Sequence, residues 1–534
     1  MAAEGSRRVP RWLVFWAAVA FGFAALPAAA LQVLHKGNGT EPQSLDPHRS
    51  QGVPAGNIQR DLFEGLISEA ANGDLIPGVA QRWETSADGR VYTFYLRKTA
   101  RWSNGDPVTA ADFVFSWRRL VDPATGSAYA QILSPIVNAQ AVVQGRKPPE
   151  ALGVEAVDTH ILQVHLNGPT PYFLGLLTHS TTYPVHAASL EAHGERFTRP
   201  GHLISNGAYR LAEWVVQSHI RLVRNRYYWQ NDTVRIDEVY YYPTEDQSSE
   251  LKRYRAGELD MTHTVPLNQL QWIRTHLAGQ LHISPYLGTY YYGFNLARPP
   301  FKDNVQLRQA LAMAIDREVI TEKITAAGEI PAYGWVPPGV ARYDSQSFPW
   351  RHLDRKARIA EARRLYRAAG FGPDRPLVLE LRYNTSENHK KIALAVSAMW
   401  KQVLGVQTRL LNEEWKVFLA NRRQGNTELF RAGWIADYND AYSFAELMLS
   451  QHGINDTGYA SPEYDRLVNA SAVEADPEKR QRLLQQAERT MLADYPIIPV
   501  FFYVTKRLVK PRVGGYEDNI MDHHYTRHLY LKRE

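Results

Sequence analysis

Arg431 and Asp437 enclose a run, Arg431-Ala-Gly-Trp-Ile-Ala-Asp437, that carries no other charged residue. If the run is a β-strand, the two charges lie about 20 Å apart, at about 3.3 Å per residue. A free peptide is a zwitterion, with an α-ammonium at one end and a carboxylate at the other. Two such side chains pointing into one cleft could bind both ends of a peptide without contacting its side chains. The alternative is a pair of solvated charges at the ends of a strand, and the run alone does not decide between them.

Motifs for catalysis are missing from the sequence. There is no Walker-type phosphate loop and no Gly-x-Gly-x-x-Gly after a strand, so nucleotide hydrolysis and dinucleotide redox chemistry lack support. There is also no Gly-x-Ser-x-Gly elbow and no His-Glu-x-x-His pattern, and the absence of cysteine excludes a thiol nucleophile. The sequence therefore favours a binding protein over an enzyme, and we expect no cofactor.

Three histidines near the C-terminus, His523, His524 and His528, form the one histidine cluster that could bind a metal. On a helix, His524 and His528 would share one face, which suits a pair of metal ligands. The segment is charged, however, and no further ligand lies near it in sequence. We therefore expect no metal site.

The composition bounds the fold and the partners. A chain of 534 residues exceeds the size of a single core, so we expect two or three domains. Aromatic residues make up 11%, which suits an adaptable ligand cleft but equally a large aromatic core. The net charge is only +6 and no basic run alternates with stacking aromatics, so we reject nucleic acid as a partner.

The first thirty residues have the pattern of an export signal. Arginines precede an apolar stretch at 12–26, and small residues follow at 27–30. The stretch is shorter than the roughly 20 residues of a membrane span, so we expect a cleaved signal peptide at 1–30. The lack of cysteine excludes a lipid-modified cysteine at the cleavage site, so a protein free in the periplasm is expected. The Arg7-Arg8 pair leaves twin-arginine export open beside the general secretory route.

Helical and strand-like segments mix along the chain, which predicts α/β domains. Residues 92–96 and 497–503 have the composition of strands. Residues 390–404 have the spacing of a helix with one apolar face, and residues 477–492 predict a later helix. Thr109 is the predicted N-cap of a further amphipathic helix.

A stretch from Gly78 to Trp117 carries a family resemblance. It reads GVAQRWETSADGRVYTFYLRKTARWSNGDPVTAADFVFSW and resembles the signature of the large extracytoplasmic solute-binding proteins of peptide ABC transporters, solute-binding protein family 5. Further blocks of the same resemblance are Asn206-Gly-Ala-Tyr209, Asn225-Arg-Tyr-Tyr-Trp229, Arg255-Ala-Gly-Glu-Leu-Asp260, Pro300-Phe-Lys-Asp303 and Ala314-Ile-Asp-Arg317.

Within that family, the chain is similar to the periplasmic oligopeptide-binding members of Gram-negative bacteria. The supporting stretches include Ser44-Leu-Asp-Pro-His48, Asp61-Leu-Phe-Glu-Gly-Leu66, Tyr383-Asn-Thr-Ser-Glu-Asn-His-Lys-Lys391 and Arg431-Ala-Gly-Trp-Ile-Ala-Asp-Tyr-Asn439. The last two are particular to this subgroup, and the match extends over essentially the whole mature chain.

The resemblance implies a periplasmic binding protein-like α/β fold of type II, cluster C. Two hinged lobes would close on the ligand, an extra domain would pack beside the first lobe, and all would be built from discontinuous segments. The implied division is 31–63, 188–287 and 505–534 for lobe 1, 64–187 for the extra domain, and 288–504 for lobe 2.

The resemblance also assigns roles within the site. Asp437 would pair with the α-ammonium of the peptide, because a buried ammonium needs an opposite charge. The implied partners of the peptide carboxylate are Arg431, Arg422 and His389. The implied contacts to the peptide backbone, bound as an added strand, are Val53, Gly433, Ile435 and Tyr129. The implied walls of roomy, hydrated side-chain pockets are Trp415, Trp434 and Tyr292.

Some positions depart from the family pattern. Gln51 stands where near relatives carry Glu, which puts help for a basic guest side chain in doubt. Gly288 and Ile435 replace a cysteine pair of close relatives, and both members are lost together. Thr325 stands where a Lys could serve another position of the carboxylate, so the accepted peptide lengths are expected to be narrower.

The function implied by the resemblance is capture of short peptides, of about 2–5 residues, for a membrane permease with cytoplasmic ATPases. We expect a monomer. One alternative is a narrower receptor for murein-derived peptides in cell-wall recycling, which could keep Asp437 but use Arg422 differently. An alternative of another class is a secreted hydrolase of peptides or glycans, which sustained turnover of labelled peptides would reveal.

Overall fold

The computed structural model describes residue 1, residues 4–5 and residues 31–532. The predicted signal peptide at 1–30 lies outside this part of the chain, apart from residues 1, 4 and 5. Among the described residues, none of the helices is both long and apolar enough to cross a membrane.

The described chain contains both strands and helices along its whole length. The strands are β1 Val33–Gly39, β2 Ile67–Glu69, β3 Leu75–Pro77, β4 Ala80–Thr85, β5 Val91–Leu96, β6 Val154–Asp158, β7 Ile161–His165, β8 Tyr209–Val215, β9 His219–Arg224, β10 Glu238–Pro243, β11 Leu281–Phe294, β12 Ile330–Pro331, β13 Val378–Asn384, β14 Gln407–Glu413, β15 Leu429–Ile435, β16 Ile497–Leu508, β17 Val513–Gly514 and β18 Tyr530–Leu531. The α-helices are α1 Val53–Leu62, α2 Ala110–Val121, α3 Ala139–Val143, α4 Phe173–Leu176, α5 Ala187–His193, α6 Gln247–Arg255, α7 Leu270–His276, α8 Val305–Met313, α9 Arg317–Val319, α10 Arg355–Ala368, α11 Glu387–Leu404, α12 Trp415–Arg423, α13 Tyr442–Ala445, α14 Pro462–Ala472 and α15 Pro477–Asp494.

Two four-stranded sheets come from the first half of the chain. One has the order β1-β10-β9-β8, with β1 parallel to β10 and the other neighbours antiparallel. The other is antiparallel in the order β4-β5-β7-β6, and helix α2 packs on its buried face. The predicted N-cap of α2 is confirmed, since Thr109 and Asp112 form a reciprocal capping box.

A six-stranded sheet, of order β12-β16-β11-β15-β13-β14, carries most of the site. Its two longest strands, β11 and β16, are antiparallel, and their register shifts between Pro285 and Thr289. This irregularity lies where β11 crosses the predicted boundary at 287/288 between lobe 1 and lobe 2. A local break in regular pairing is a suitable hinge, because it bends more readily than a continuous ladder. The division into lobes stays a prediction.

Helix α11 begins three residues before the predicted start at 390, because Ser386 accepts a hydrogen bond from the His389 N–H at 3.3 Å and caps it. Gly405, at φ 76°, ends the helix where predicted. The helix is anchored by Trp400, which is fully buried and donates its indole N–H to the Leu311 carbonyl at 3.0 Å. The cap therefore fixes one end of α11 at the site, and Trp400 fixes the other end to α8.

We predict that Trp400→Ala lowers the free energy of unfolding by about 3–5 kcal/mol, because it leaves a large cavity and an unpaired carbonyl. The matched control is Leu394→Ala on the same helix, where the side chain is 52% exposed. The control is expected to change stability by no more than about 0.5 kcal/mol. Urea denaturation followed by circular dichroism measures both. Equal losses for the two variants would contradict the anchoring role.

Candidate functional site

A cavity of ≈ 400 Å³ lies against the six-stranded sheet and is lined by segments far apart in sequence. This volume falls in the range of small-molecule sites. Of the residues that the sequence assigned to the site, the cavity is lined by Val53, Tyr129, His389, Trp415, Arg422, Arg431, Gly433, Trp434, Ile435 and Asp437. The structure does not bring Tyr292 to the cavity.

Strand β15 offers an unpaired edge to the cavity. Its neighbour β13 pairs with it only at Leu429 and Phe430, so the edge is open from Arg431 to Ile435. The Ala436 N–H donates to the Leu287 carbonyl on the β11 side at 2.8 Å. Because main-chain groups alternate between the two edges, Gly433 and Ile435 present theirs to the open edge. An extended chain could therefore pair there as an added strand.

Arg431 is a partly buried cation without a carboxylate partner among the described residues. Its guanidinium donates to the Tyr503 hydroxyl at 2.6 Å and to the Asn384 Oδ1 at 3.2 Å, and lies 4.7 Å from the centre of the Tyr290 ring. Its Nε makes no hydrogen bond. Gly433 permits this arrangement, because a Cβ there would lie 2.5 Å from the Tyr503 hydroxyl. Arg431 thus has free donor capacity for an anion.

The two other predicted partners of the peptide carboxylate also lie in the cavity wall, but they differ in charge and in hydrogen bonding. Arg422 is already neutralised by Asp456, with 2.6 Å between Nη2 and Oδ2, so its charge is less available than that of Arg431. His389 has a buried Nδ1 without a partner. Burial, together with the charges of Arg431 and Lys506, holds the pKa of His389 well below its usual range. The ring is therefore neutral while the cavity is empty.

Asp437 lies just beyond the end of β15, where its N–H donates to the Ser443 hydroxyl at 2.8 Å. The carboxyl is 8% exposed, and His179 lies 3.3 Å away from Nε2 to Oδ1. The His179 Nδ1 accepts from the Thr181 N–H, so the ring hydrogen is on Nε2, the nitrogen nearer to Asp437. Burial lowers the pKa of His179 to about 3, with Arg60 and His523 adding to the shift. The imidazole beside Asp437 is thus neutral.

The consequence is a carboxyl that is hard to ionise while the cavity is empty. Burial raises the pKa of Asp437 to about 8, and the positive charge of Arg60 opposes this only in part. Arg60 itself contacts the His523 Nε2 at 2.5 Å, and the His523 Nδ1 lies 2.6 Å from Glu69. A ligand cation beside Asp437 would supply the charge that the protein does not provide.

Two ion pairs at the cavity wall are formed within the protein. Lys506 pairs with Glu329 at 2.6 Å, and Glu329 also accepts from the Thr325 hydroxyl at 2.7 Å. Arg507 pairs with Asp522 through two contacts of 3.0 Å. The charges of Lys506 and Arg507 are therefore less available to a ligand than that of Arg431.

Aromatic side chains form much of the wall, though not all those predicted. Tyr129 lies 5.1 Å from the His179 ring, and Trp415 packs so closely over Gly52 that a Cβ there would approach within 3.1 Å. Trp434 borders the cavity, but its indole is tied to the Ser443 carbonyl at 2.7 Å.

The expected wall residue Tyr292 lies behind the cavity, because it is fully buried between Tyr290 and Trp400. From the same strand, Tyr290 and Tyr291 line the cavity in its place.

The structure accommodates the residues that depart from the family pattern. Gly288 and Ile435 are register partners, and a Cβ on Gly288 would lie 2.4 Å from Ile435 Cδ1. The isoleucine therefore fills the space beside the glycine, without a covalent link. Gln51 accepts a hydrogen bond from Arg423 across the mouth of the cavity.

Several residues of the site were missed by the sequence analysis, namely His179, Ser443, Tyr503 and Arg60. None belongs to a recognisable motif. The one available signal was the spacing of Tyr503 in a strand-like apolar run.

The C-terminal histidines are used within the fold. His524 contacts Asp522 at 2.8 Å and His528 contacts the Glu69 carbonyl at 3.0 Å. In the part of the chain that the structure describes, no group of three or more His, Cys, Asp and Glu side chains is placed to hold a metal ion.

Comparisons with known proteins agree on a family. The model of the bacterial extracellular solute-binding proteins, family 5 (middle), matches residues 74–456. The chain is 44% identical to the periplasmic oligopeptide-binding protein OppA of Escherichia coli K12 over 512 residues, which covers 95% of this chain and 94% of the relative.

Solved structures give the same picture. The complex of Haemophilus influenzae OppA with RPPGFSPFR has a TM-score of 0.91 at 41% identity, covering 94% of this chain and 99% of that one. The Escherichia coli murein tripeptide binding protein MppA has a TM-score of 0.93 at 41% identity, with 95% and 99% covered. Its unliganded open form scores only 0.67 at the same identity, with 94% and 98% covered. The arrangement described here therefore differs from an open form.

We predict that closure of the empty protein depends on pH. The pKa of Asp437 is raised to about 8 in the closed cavity but is expected near 4 where the cleft is open to water. Protonation therefore favours the closed form, and this contribution is lost as pH rises through the interval up to about 8. Small-angle X-ray scattering is expected to find the empty protein more closed at pH 5 than at pH 8.

The control for this measurement is Asp437→Asn, which keeps the shape and removes the titration. Glu446, whose pKa is also raised by burial and by Asp437, shares part of the effect. The variant is therefore expected to retain less than half of the pH dependence and to close more than the parent protein at pH 8. An unchanged pH dependence in the variant would contradict the role of Asp437.

Proposed function

The chain belongs to family 5 of the bacterial extracellular solute-binding proteins, and from this premise we propose that it is a periplasmic receptor for oligopeptides. It captures short peptides by their charged termini and backbone and delivers them to an ABC permease. The observation that carries this proposal is the pair of unsatisfied charges, Arg431 and Asp437, at the two ends of one open strand edge.

At one end, Asp437 binds the α-ammonium of the peptide. The ammonium replaces the missing counter-charge, so that Asp437 ionises and the two groups neutralise each other in the closed cavity. His179 Nε2 lies 3.3 Å from the same carboxyl, and the Ser443 hydroxyl accepts from the Asp437 N–H and fixes the backbone there. These contacts hold the carboxylate in place without competing for its charge.

At the other end, Arg431 binds the peptide carboxylate. Its planar guanidinium is suited to two parallel hydrogen bonds, and the unsatisfied Nε is one of the available donors. His389 adds a neutral N–H donor, and an arriving carboxylate raises the pKa of the ring. Arg422 binds the carboxylate of longer or differently placed peptides, but more weakly, because it shares its charge with Asp456.

Between the termini, the peptide pairs with the open edge of β15 at Gly433 and Ile435. Val53 opens helix α1, so its N–H has no partner within the helix and is free for a peptide carbonyl. Main-chain hydrogen bonds do not depend on the sequence of the guest. Water in the remaining volume adapts to each guest side chain.

The span of the strand sets the length of the guest. An extended peptide rises about 3.4 Å per residue, so the separation of the two anchors fits about 2–5 residues once the reach of the long Arg431 side chain is subtracted. A relative of known structure holds the nine-residue RPPGFSPFR. Longer guests of this chain would have to bypass the anchor at Arg431.

The receptor acts together with the subunits of a membrane transporter and catalyses no reaction itself. Closure of the lobes forms a composite surface that docks on a membrane permease, and ATPase subunits supply the energy. The protein is exported by its signal peptide, works free in the periplasm as a monomer, and lacks the cysteine for a lipid anchor. Purified protein is expected to leave labelled peptides uncleaved.

A narrower second function is favoured by one observation, the TM-score of 0.93 with a murein tripeptide binding protein. Native mass spectrometry of the protein purified from its own periplasm separates the two. A mixture of unrelated short peptides supports the broad receptor, and a single murein peptide supports the narrow one.

We predict that Asp437→Ala weakens the binding of trialanine by about 2–5 kcal/mol, because it leaves the peptide ammonium buried and unpaired. Trp415→Ala, which removes a wall, is expected to cost less than the loss of the ammonium partner. The surface variant Asp374→Ala controls for the loss of a negative charge. Isothermal titration calorimetry measures all three, and a loss below about 1 kcal/mol for Asp437→Ala would refute the ammonium anchor.

A further inference from the structure

The segment from Asn384 to His389 contacts both walls of the cleft. It joins β13 of the six-stranded sheet to helix α11 and lines the cavity. It also contacts residues 247–267, which follow β10 of a different sheet. The segment therefore connects the site to the opposite wall of the cleft.

Asn388 makes the central contact between the two walls. Its Oδ1 accepts from the Leu267 N–H at 3.1 Å, and its Nδ2 donates to the Val265 carbonyl at 3.3 Å. A single side chain thereby satisfies both a main-chain donor and a main-chain acceptor. These groups would be hydrated if the walls separated, so the two bonds exist only in the closed arrangement.

Neighbouring residues add to the same junction. The Ser248 hydroxyl donates to both carboxylate oxygens of Glu387, at 3.1 and 2.9 Å. Gln247 donates to the Ser386 hydroxyl at 3.3 Å. Within the described part of the chain, the contacts at this junction are hydrogen bonds of hydroxyl and amide groups, one of them to the Glu387 carboxylate, and none is an ion pair.

The opposite wall is itself held in place. Glu250 of α6 accepts from the His263 N–H at 2.8 Å and from the Thr264 N–H at 3.5 Å. The chain that Asn388 recognises is thus positioned before the walls meet, and Asn388 selects one docking position of α11.

The side of the segment that faces the cavity carries the groups that bind the peptide carboxylate in the proposed function. Asn384 accepts from Arg431 at 3.2 Å, and His389 follows Asn388 directly in the first turn of α11. The ring of His389 lies 5.7 Å from the Tyr290 ring. A displacement of this first turn would therefore move the His389 donor relative to Arg431.

We propose that Asn388 is a positioning residue that couples recognition of the peptide carboxylate to closure of the cleft. Its two bonds to Val265 and Leu267 seat the first turn of α11, which places His389 beside Arg431 only when the walls have met. This inference rests on the proposed function and adds a determinant of selectivity for a free C-terminus. A peptide without that carboxylate gains less from the seated turn.

The test is a double-mutant cycle between Asn388→Ala and amidation of the C-terminus of trialanine, measured by isothermal titration calorimetry. Amidation is expected to weaken binding to the parent protein about 100-fold. Asn388→Ala is expected to weaken the binding of unmodified trialanine about tenfold. In this variant, the fold-change in affinity caused by amidation is expected to be at least about fivefold smaller than in the parent protein. The coupling distinguishes a positioning role from a purely structural one.

Two further variants keep the test decisive. Ser248→Ala removes the hydrogen bond to Glu387. The substitution lies in the opposite wall and leaves the sequence of α11 unchanged. It is expected to reduce the effect of amidation on affinity, as Asn388→Ala does. Asn412→Ala removes a hydrogen bond of 3.3 Å to Thr385, on the same segment but from neighbouring strand β14, and is expected to leave the amidation effect unchanged.

Each outcome has one meaning. Strict additivity in the cycles of both Asn388→Ala and Ser248→Ala would overturn the coupling, as would an Asn412→Ala effect as large as that of Asn388→Ala. Failure of trialanine to bind the parent protein would instead overturn the proposed function.

Discussion

The structure depends on one electrostatic constraint: among the described residues, the buried carboxyl of Asp437 makes no ion pair with a Lys or Arg side chain. Burial raises its pKa, His179 beside it is neutral, and Arg60 contacts His523, so a ligand cation would favour its ionisation. The same holds with opposite sign at Arg431, which no carboxylate neutralises among the described residues. In the proposed function, a zwitterionic peptide supplies the opposite charge at both ends at once.

The fold meets this constraint with ordinary means. Arg431 in strand β15 and Asp437 just beyond its end both line the cavity. The short pairing of β13 leaves the edge of β15 free, which could pair with the main chain of a guest irrespective of its sequence. The irregular register of β11 and β16 and the hydrogen bonds around Asn388 are the features through which we propose that the walls meet and separate.

Much of the fold was readable from the sequence, since the capping box at Thr109 and the apolar face of α11 are local signals. The run from Arg431 to Asp437 was readable as a strand with a charge at each end. The environment of each charge was not predicted, because His179 and Asp456 reach the site from other segments. The resemblance assigned Tyr292 to the cavity wall, but it did not predict that the side chain packs behind the wall against Trp400.

The central claim is that opposite charges bind the two termini and leave the middle of the guest unread. Calorimetric titration of trialanine against its N-acetylated, C-amidated form tests it most directly, because blocking removes both charges and almost nothing else. The account predicts that the blocked peptide binds at least about 1,000-fold more weakly, the sum of two lost charge pairs. Equal affinity for the two peptides would contradict it.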